Sequence, residues 1–129
     1  MDELTIGAVA RQAGVAASTV RYYEQRGVLP IPTRRHGQRR YTGGAVDQVR
    51  LIKFAQQVGF TLDEIGTLMQ GFAADTPLSV RWKALAPHKL RELAAQRRQI
   101  EAMQQVLTAG LTCGCVSLDT CTVYQRCSA

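Results

Sequence analysis

No cysteine occurs before residue 113 of this 129-residue chain, and the four present (Cys113, Cys115, Cys121 and Cys127) all fall in the last 17 residues. A disulfide framework spreads its cysteines through a secreted chain, so this clustering points to a metal or redox site. Long apolar runs are also missing. None approaches the roughly 20 residues needed to span a bilayer, and no apolar leader segment opens the chain. The expectation is a soluble, cytoplasmic protein with no membrane contact. Histidine occurs twice, as His36 and His88, with no other ligand type near His36 in sequence. No paired-carboxylate, Ser/His or nucleotide-loop constellation is present, which argues against an enzyme.

Acidic residues are few: ten against sixteen Lys and Arg, for a net charge of +6. The excess is uneven. Residues 1–60 hold nine cations and four acids, whereas residues 61–129 hold seven and six. Thirteen of the sixteen cations are Arg, the residue suited to bidentate contacts with phosphate and guanine. A basic N-terminal half implies a polyanionic partner. A solvated basic loop is the alternative that charge alone leaves open. With 46% hydrophobic residues the chain can still bury a core.

The local patterns give that half a shape. Thr5 is a candidate N-cap for a helix over Ile6–Ala13, with Ile6, Val9 and Ala10 on one face and Gly14 as its end. Ser18 is a second candidate cap, for a helix running through Arg21 and Tyr22 to Gly27. Two short helices about a turn at Gly14 make a helix-turn-helix pattern, with a plain helical hairpin as the alternative. Pro30 and Pro32 stop the second helix. Thr33 to Tyr41 reads as a two-stranded wing with Gly37 at its tip, flanked by Arg34, Arg35, Arg39 and Arg40. A helix over Val46–Val58 follows, with Val46, Val49, Ile52 and Phe54/Ala55 facing inward. Thr61 and Glu64 form a capping box ahead of Ile65, Leu68 and Met69, and that helix fades over Gly71–Pro77.

From Lys89 to Thr108 there is neither Gly nor Pro. Ala86, Leu93, Ile100 and Leu107 recur every seven residues, with Leu90 and Met103 beside them, which marks a helix paired along a narrow seam. A lone stripe of that length cannot be covered within so small a domain, so the expectation is a homodimer; packing back on the chain's own head is the alternative. Pro87 either opens this helix or kinks it. The chain divides by these signs into 1–72, a winged helix-turn-helix with linker helices; 73–109, a connector and dimerisation helix; and 110–129, a Cys-rich tail.

These residues resemble a known family. Ile6-Gly7-Ala8-Val9-Ala10, Gly14-Val15, Thr19-Val20-Arg21-Tyr22-Tyr23-Glu24, Gly27-Val28-Leu29 and Arg39-Arg40-Tyr41 are similar to the head of MerR-family transcription regulators. Ile52-Lys53, Gly59-Phe60-Thr61-Leu62 and Glu64-Ile65 fit as well. The resemblance implies a mostly α protein: a winged helix-turn-helix head, linker helices and a long antiparallel coiled-coil dimerisation helix. It also implies a homodimer on double-stranded promoter DNA that acts on RNA polymerase by distorting an over-long promoter spacer. Candidate DNA contacts are Ser18, Thr19, Arg21, Tyr22 and Tyr23 on the second helix. On the wing they are Arg34, Arg35, His36, Arg39, Arg40 and Tyr41. Burial against the wing is the alternative for Tyr23. The seam comprises Leu90, Leu93, Ile100, Met103 and Leu107.

Two branches of the family compete for the tail. Gln38-Arg39-Arg40-Tyr41, Trp82-Lys83 and Cys113-Gly114-Cys115 with Cys121 resemble the SoxR-type redox sensors. Those hold a [2Fe–2S] cluster through four cysteines, and the first of the four positions is Gly110 here; Cys127 is the available replacement. The copper- and mercury-type branches bind a soft metal ion through tail cysteines that match Cys113 and Cys121. The divalent-ion sensors add a thiol from the start of the partner subunit's long helix; the matching position here is near Leu78 or Ser79, neither a thiol. The resemblance therefore argues against a three-thiolate divalent-ion site across the interface and leaves a two-thiolate monovalent site or one built wholly from the tail. The favoured reading is a soft metal ion held by the thiolates of Cys113, Cys115, Cys121 and Cys127, with a [2Fe–2S] cluster as the alternative. A small iron–sulfur or thiol redox protein is a remote third, since an electron carrier has no use for an Arg-rich wing.

Overall fold

The structure, a computed structural model, describes residues 3–114. Among the described residues five helices and one hairpin follow in order: α1 (Ile6–Ala13), α2 (Ala17–Gln25), β1 (Thr33–Arg35), β2 (Gln38–Arg40), α3 (Gly44–Gln57), α4 (Leu62–Gln70) and α5 (Leu78–Thr112). The chain divides into two compact units, Met1–Leu85 and Ala86–Ala129. Among the described residues no helix is long and apolar enough to cross a membrane.

In the first unit the ends of the elements follow from their capping chemistry. Thr5 caps α1: its hydroxyl accepts from the Ala8 N–H at 3.2 Å, satisfying one of the four orphan donors of a helix start. Gly14 closes α1, its N–H reaching the carbonyls of Ala10 and Arg11. Ser18 does not cap α2, contrary to expectation. The helix starts two residues earlier than a Ser18 cap would set it, at Ala17, with the extended Ala16 as N-cap and no side-chain cap bond. At α4 the box is complete: Glu64 N–H donates to the Thr61 hydroxyl at 3.2 Å, and the Thr61 N–H donates to the Glu64 carboxylate at 2.8 Å.

The wing is an antiparallel pair with Thr33 opposite Arg40, Arg34 opposite Arg39 and Arg35 opposite Gln38. Its two-residue tip is His36-Gly37, at φ 55° and 77°. Positive φ at both positions is the primed turn that matches strand twist. Gly adopts it freely, and His is among the few side chains found there. Leu4 and Tyr41 exchange backbone hydrogen bonds of 2.8 Å in each direction, which ties the N-terminal segment to the base of the wing.

The core lies where α1, α2, α3 and α4 meet. Val9, Val20, Val28, Leu29, Val49, Ile52, Ile65 and Leu68 are fully buried. Val46 and Ala55 join them, but Phe54 does not: it is 52% exposed and stacks on Trp82 with ring centroids 6.0 Å apart. Phe60 meets the same indole edge-on at 5.3 Å. Two cations of α3 hold the end of α1. Arg50 donates to the Gln12 carbonyl at 2.8 Å and Lys53 to the Gly14 carbonyl at 3.0 Å, where the helix dipole is negative.

α5 starts at Leu78, well ahead of the heptad stripe, and Pro87 lies inside it. The proline therefore does not open the helix. The helix also continues through Gly110 to Thr112. In the second unit Leu90, Ile100, Met103 and Leu107 are more than half exposed and Leu93 is 38% exposed. His88, also exposed, pairs with Glu92 at 2.7 Å, and Arg97 with Glu101 at 3.2 Å.

Candidate functional site

The outward face of α2 carries Ser18, Arg21, Tyr22 and Gln25, all exposed. Their spacing is that of one helical stripe, and the opposite side sends Val20 and Tyr23 into the core. Arg21 has no hydrogen bond or ion pair among the described residues, so its guanidinium is available to an incoming anion. Thr19 is half-buried at the edge of this face. Tyr22 is 44% exposed, and Arg26 donates to its hydroxyl at 2.9 Å with the guanidinium 5.8 Å from the ring centre. The Tyr22 hydroxyl, followed by Asp63 at 3.4 Å, raises the Arg26 pKa further above its ordinary value. Gln25 and Arg26 were absent from the sequence-derived set; the i+4 spacings from Arg21 and Tyr22 were the available signal.

Two expected contacts lie inside the fold. Tyr23 and Tyr41 are each 3% exposed, too deep to touch a duplex. The Tyr23 hydroxyl donates to the Gln56 side chain of α3 at 2.7 Å. Tyr41 donates to the Glu24 carboxylate. Burial raises the pKa of both phenols, and for Tyr41 the Glu24 carboxylate adds to it.

Glu24 is a further residue of this site that the sequence analysis does not single out. Its side chain is 6% exposed and accepts from Arg39 Nε at 3.1 Å as well as from Tyr41. One acid on α2 thereby holds both the second strand and the base of the wing. The signal was present: Glu24 is the only acid between Glu3 and Asp47, within an otherwise cationic region.

The rest of the wing faces outward. Arg34, Arg35 and His36 are exposed, while Arg39 and Arg40 are half-buried. Arg34 stands directly opposite Arg39, a like-charge pairing that costs stability in a sheet. Glu24 relieves one member of the pair. A polyanion would relieve the other. Arg35 pairs with Glu3 at 3.1 Å, with both side chains solvent-accessible, an interaction weak enough to exchange for phosphate.

The thiol end is described only in part. Cys113 follows directly on α5, is half-buried and is disulfide-bonded. Ligation of a metal ion by this residue requires the reduced thiolate. Cys115, Cys121 and Cys127 lie outside the described residues. Among the described residues no three His, Cys, Asp or Glu side chains gather closely enough to hold a metal ion. The fit to a soft ion rests on the donor type, a sulfur set without histidine.

Residues 4–71 match the MerR HTH family of regulatory proteins, and residues 46–109 match the MerR DNA-binding family. A mercuric resistance operon regulatory protein of Serratia marcescens is 38% identical over 109 residues, covering 84% of this chain and 74% of its own length. A SoxR homologue of Chromobacterium violaceum, described as an HTH-type transcriptional activator, is 33% identical over 94% of this chain and 82% of its own. In fold, the chain is similar to the lead(II) complex of the transcription regulator PbrR691 from Ralstonia metallidurans CH34. The TM-score is 0.74 and the identity 23%, over 96% of this chain and 98% of the other.

Proposed function

Because the chain belongs to the MerR family of DNA-binding transcription regulators, we propose that it works as a homodimeric promoter switch whose tail thiolates sense a soft metal ion. The observation that carries the DNA half is the unpartnered Arg21 on the outward stripe of α2, beside a wing fixed to the same helix through Glu24. Each α2 enters a major groove, with Ser18, Thr19, Arg21 and Tyr22 toward the bases. Arg34, Arg35, His36 and Arg40 lie along phosphates, setting register rather than reading sequence. Arg39, Tyr23 and Tyr41 position these groups instead of touching DNA.

The dimer half is carried by α5. A helix with Leu90, Leu93, Ile100, Met103 and Leu107 all exposed in the single chain needs a cover, and an antiparallel second copy supplies an identical stripe. Cys113 lies at the end of that helix, so a ligand gathered by Cys113, Cys115, Cys121 and Cys127 acts on the element that joins the two heads. A soft ion, when bound, draws the thiolates into one cluster. The heads are then repositioned, and the promoter is bent and untwisted for RNA polymerase in the cytoplasm, with DNA deformation as the output.

A [2Fe–2S] redox sensor is the second reading, favoured by the SoxR homologue's 94% coverage of the chain. The test is anaerobic purification followed by iron, sulfide and soft-metal analysis, a visible spectrum, and a gel shift on DNA upstream of the chain's own gene. A colourless protein that takes up mercury or copper once reduced supports the first reading. A coloured protein with iron and acid-labile sulfide supports the second. Absence of specific DNA binding rejects both.

A further inference from the structure

The joint between α4 and α5 is built around one side chain. Arg81, in the first turn of α5, donates from all three guanidinium nitrogens to five backbone carbonyls. Nε reaches Thr76 at 3.0 Å. Nη1 reaches Leu68 at 3.3 Å and Met69 at 3.0 Å. Nη2 reaches Ala73 at 3.3 Å and Ala74 at 3.4 Å. The Leu68 and Met69 carbonyls belong to the last turn of α4, where acceptors have no helical partner and the dipole is negative. The remaining three belong to the connecting segment. A surface arginine needs no such saturation, and only a planar fork with five donors can serve so many acceptors at once.

The neighbouring residues close the same joint. The Gly71 N–H donates to the Thr67 carbonyl at 2.7 Å, and a Cβ at Gly71 would come within 2.6 Å of that oxygen, so the chain leaves α4 by a path too tight for a side chain. The Phe72 ring lies 5.9 Å from the Arg81 guanidinium. On the other side of the same turn, Trp82 packs on Phe54 of α3 and on Phe60. Adjacent residues therefore fasten the first turn of α5 to α4 and to α3. In turn α3 holds the end of α1 through Arg50 and Lys53.

We propose that Arg81 is the positioning residue that makes the start of α5 rigid with the DNA-binding head, so that a displacement of α5 becomes a displacement of the head. The proposal rests on the promoter-switch reading above. Without Arg81 the α4 carbonyls turn to water and the connecting segment loses its internal bonds. The head still folds, because its core is made by α1 to α4, but the joint yields when α5 moves.

The test uses the full chain as wild type, Arg81→Gln and Arg81→Lys. Lys keeps the charge and folding competence but not the fork. Three quantities are read: affinity for promoter DNA without effector, hydrogen exchange over residues 68–81, and the ratio of transcription with and without mercuric or cuprous ion. The expectation is unchanged DNA affinity, faster exchange, and a response ratio reduced by about tenfold in both variants, within the range of ordinary allosteric couplings. A wild-type response ratio in either variant overturns the proposal. So does a parallel loss of DNA affinity and response, which would mark Arg81 as merely structural. A wild-type chain that binds promoter DNA yet responds to neither ion nor to redox cyclers overturns the promoter-switch reading, and the proposal with it.

Discussion

Glu24 on α2 and Arg39 on the wing form an ion pair of 3.1 Å, with the acid 6% and the base 29% exposed. Helix α2 and the wing are thus locked by a pair mostly withdrawn from water, with Tyr41 donating to the other carboxylate oxygen. Removing one partner of such a pair leaves the other uncompensated. Glu24→Gln retains an acceptor but not the charge, and is expected to cost about 1–3 kcal/mol of stability. Urea unfolding measures that loss. Gel shifts on the folded variant should show weaker binding, although a buried carboxylate is no phosphate ligand.

Arg21 should behave differently. Exposed and unpartnered, it contributes little to the fold, so Arg21→Ala should leave the unfolding midpoint unchanged. Specific binding should weaken by about 1–3 kcal/mol if Arg21 reads a base edge. Fluorescence anisotropy across a salt series gives the second half of the answer. Affinity should fall linearly with log salt, and the slope should shrink when Arg34 and Arg35 are removed. Salt-independent binding would contradict the phosphate role of the wing.

The buried phenols set a limit at high pH. Burial, then the Glu24 carboxylate, raise the Tyr41 pKa above the ordinary 10.0, and burial raises that of Tyr23. Between the unfolded and folded pKa the native state retains protons that the unfolded chain releases. This contribution to stability is fully present below the unfolded pKa of 10.0 and is lost as pH rises through the folded value. The unfolding midpoint should therefore fall above about pH 10, and Tyr41→Phe should show a shallower fall. An identical slope in both proteins would refute it.

What was legible in the sequence follows from where the information is local. The Thr5 cap, the Thr61–Glu64 box, the Gly37 tip and the Val46/Val49/Ile52 face are set by residues a few positions apart, and each stands as expected. The misplaced features depend on distant partners. Tyr23 looks like a groove-facing tyrosine until Gln56, thirty-three residues on, takes its hydroxyl. Phe54 looks like core until Trp82 supplies an outer aromatic stack. Arg81 carries no local mark in the sequence, and only the returning loop makes it a hub. Of the two readings of Pro87, a helix start or a kink, the first is excluded: Leu78–Ala86 contains no breaker and the helix runs through the proline.

The stripe on α5 gives an assembly prediction. Ile100 is 54% exposed in the single chain. Asp at that position would put a charge into the seam of a dimer, where it has no partner. Ile100→Asp should sediment as a monomer and lose specific promoter binding while the head remains folded by circular dichroism. A wild-type chain that is monomeric at micromolar concentration would contradict the seam.

The central claim is that thiolates at the end of α5 control a promoter bound by the head. The most direct measurement is transcription from the chain's own promoter with mercuric, cuprous, cadmium or zinc salts and with redox cyclers, in wild type and in each of the four single Cys→Ser variants. The account predicts activation by a soft metal ion in the wild type, abolished in Cys113→Ser and Cys121→Ser, with Cys115→Ser and Cys127→Ser showing graded losses or none. Full metal response in Cys113→Ser would contradict it, as would activation by redox cyclers alone from an iron-containing protein.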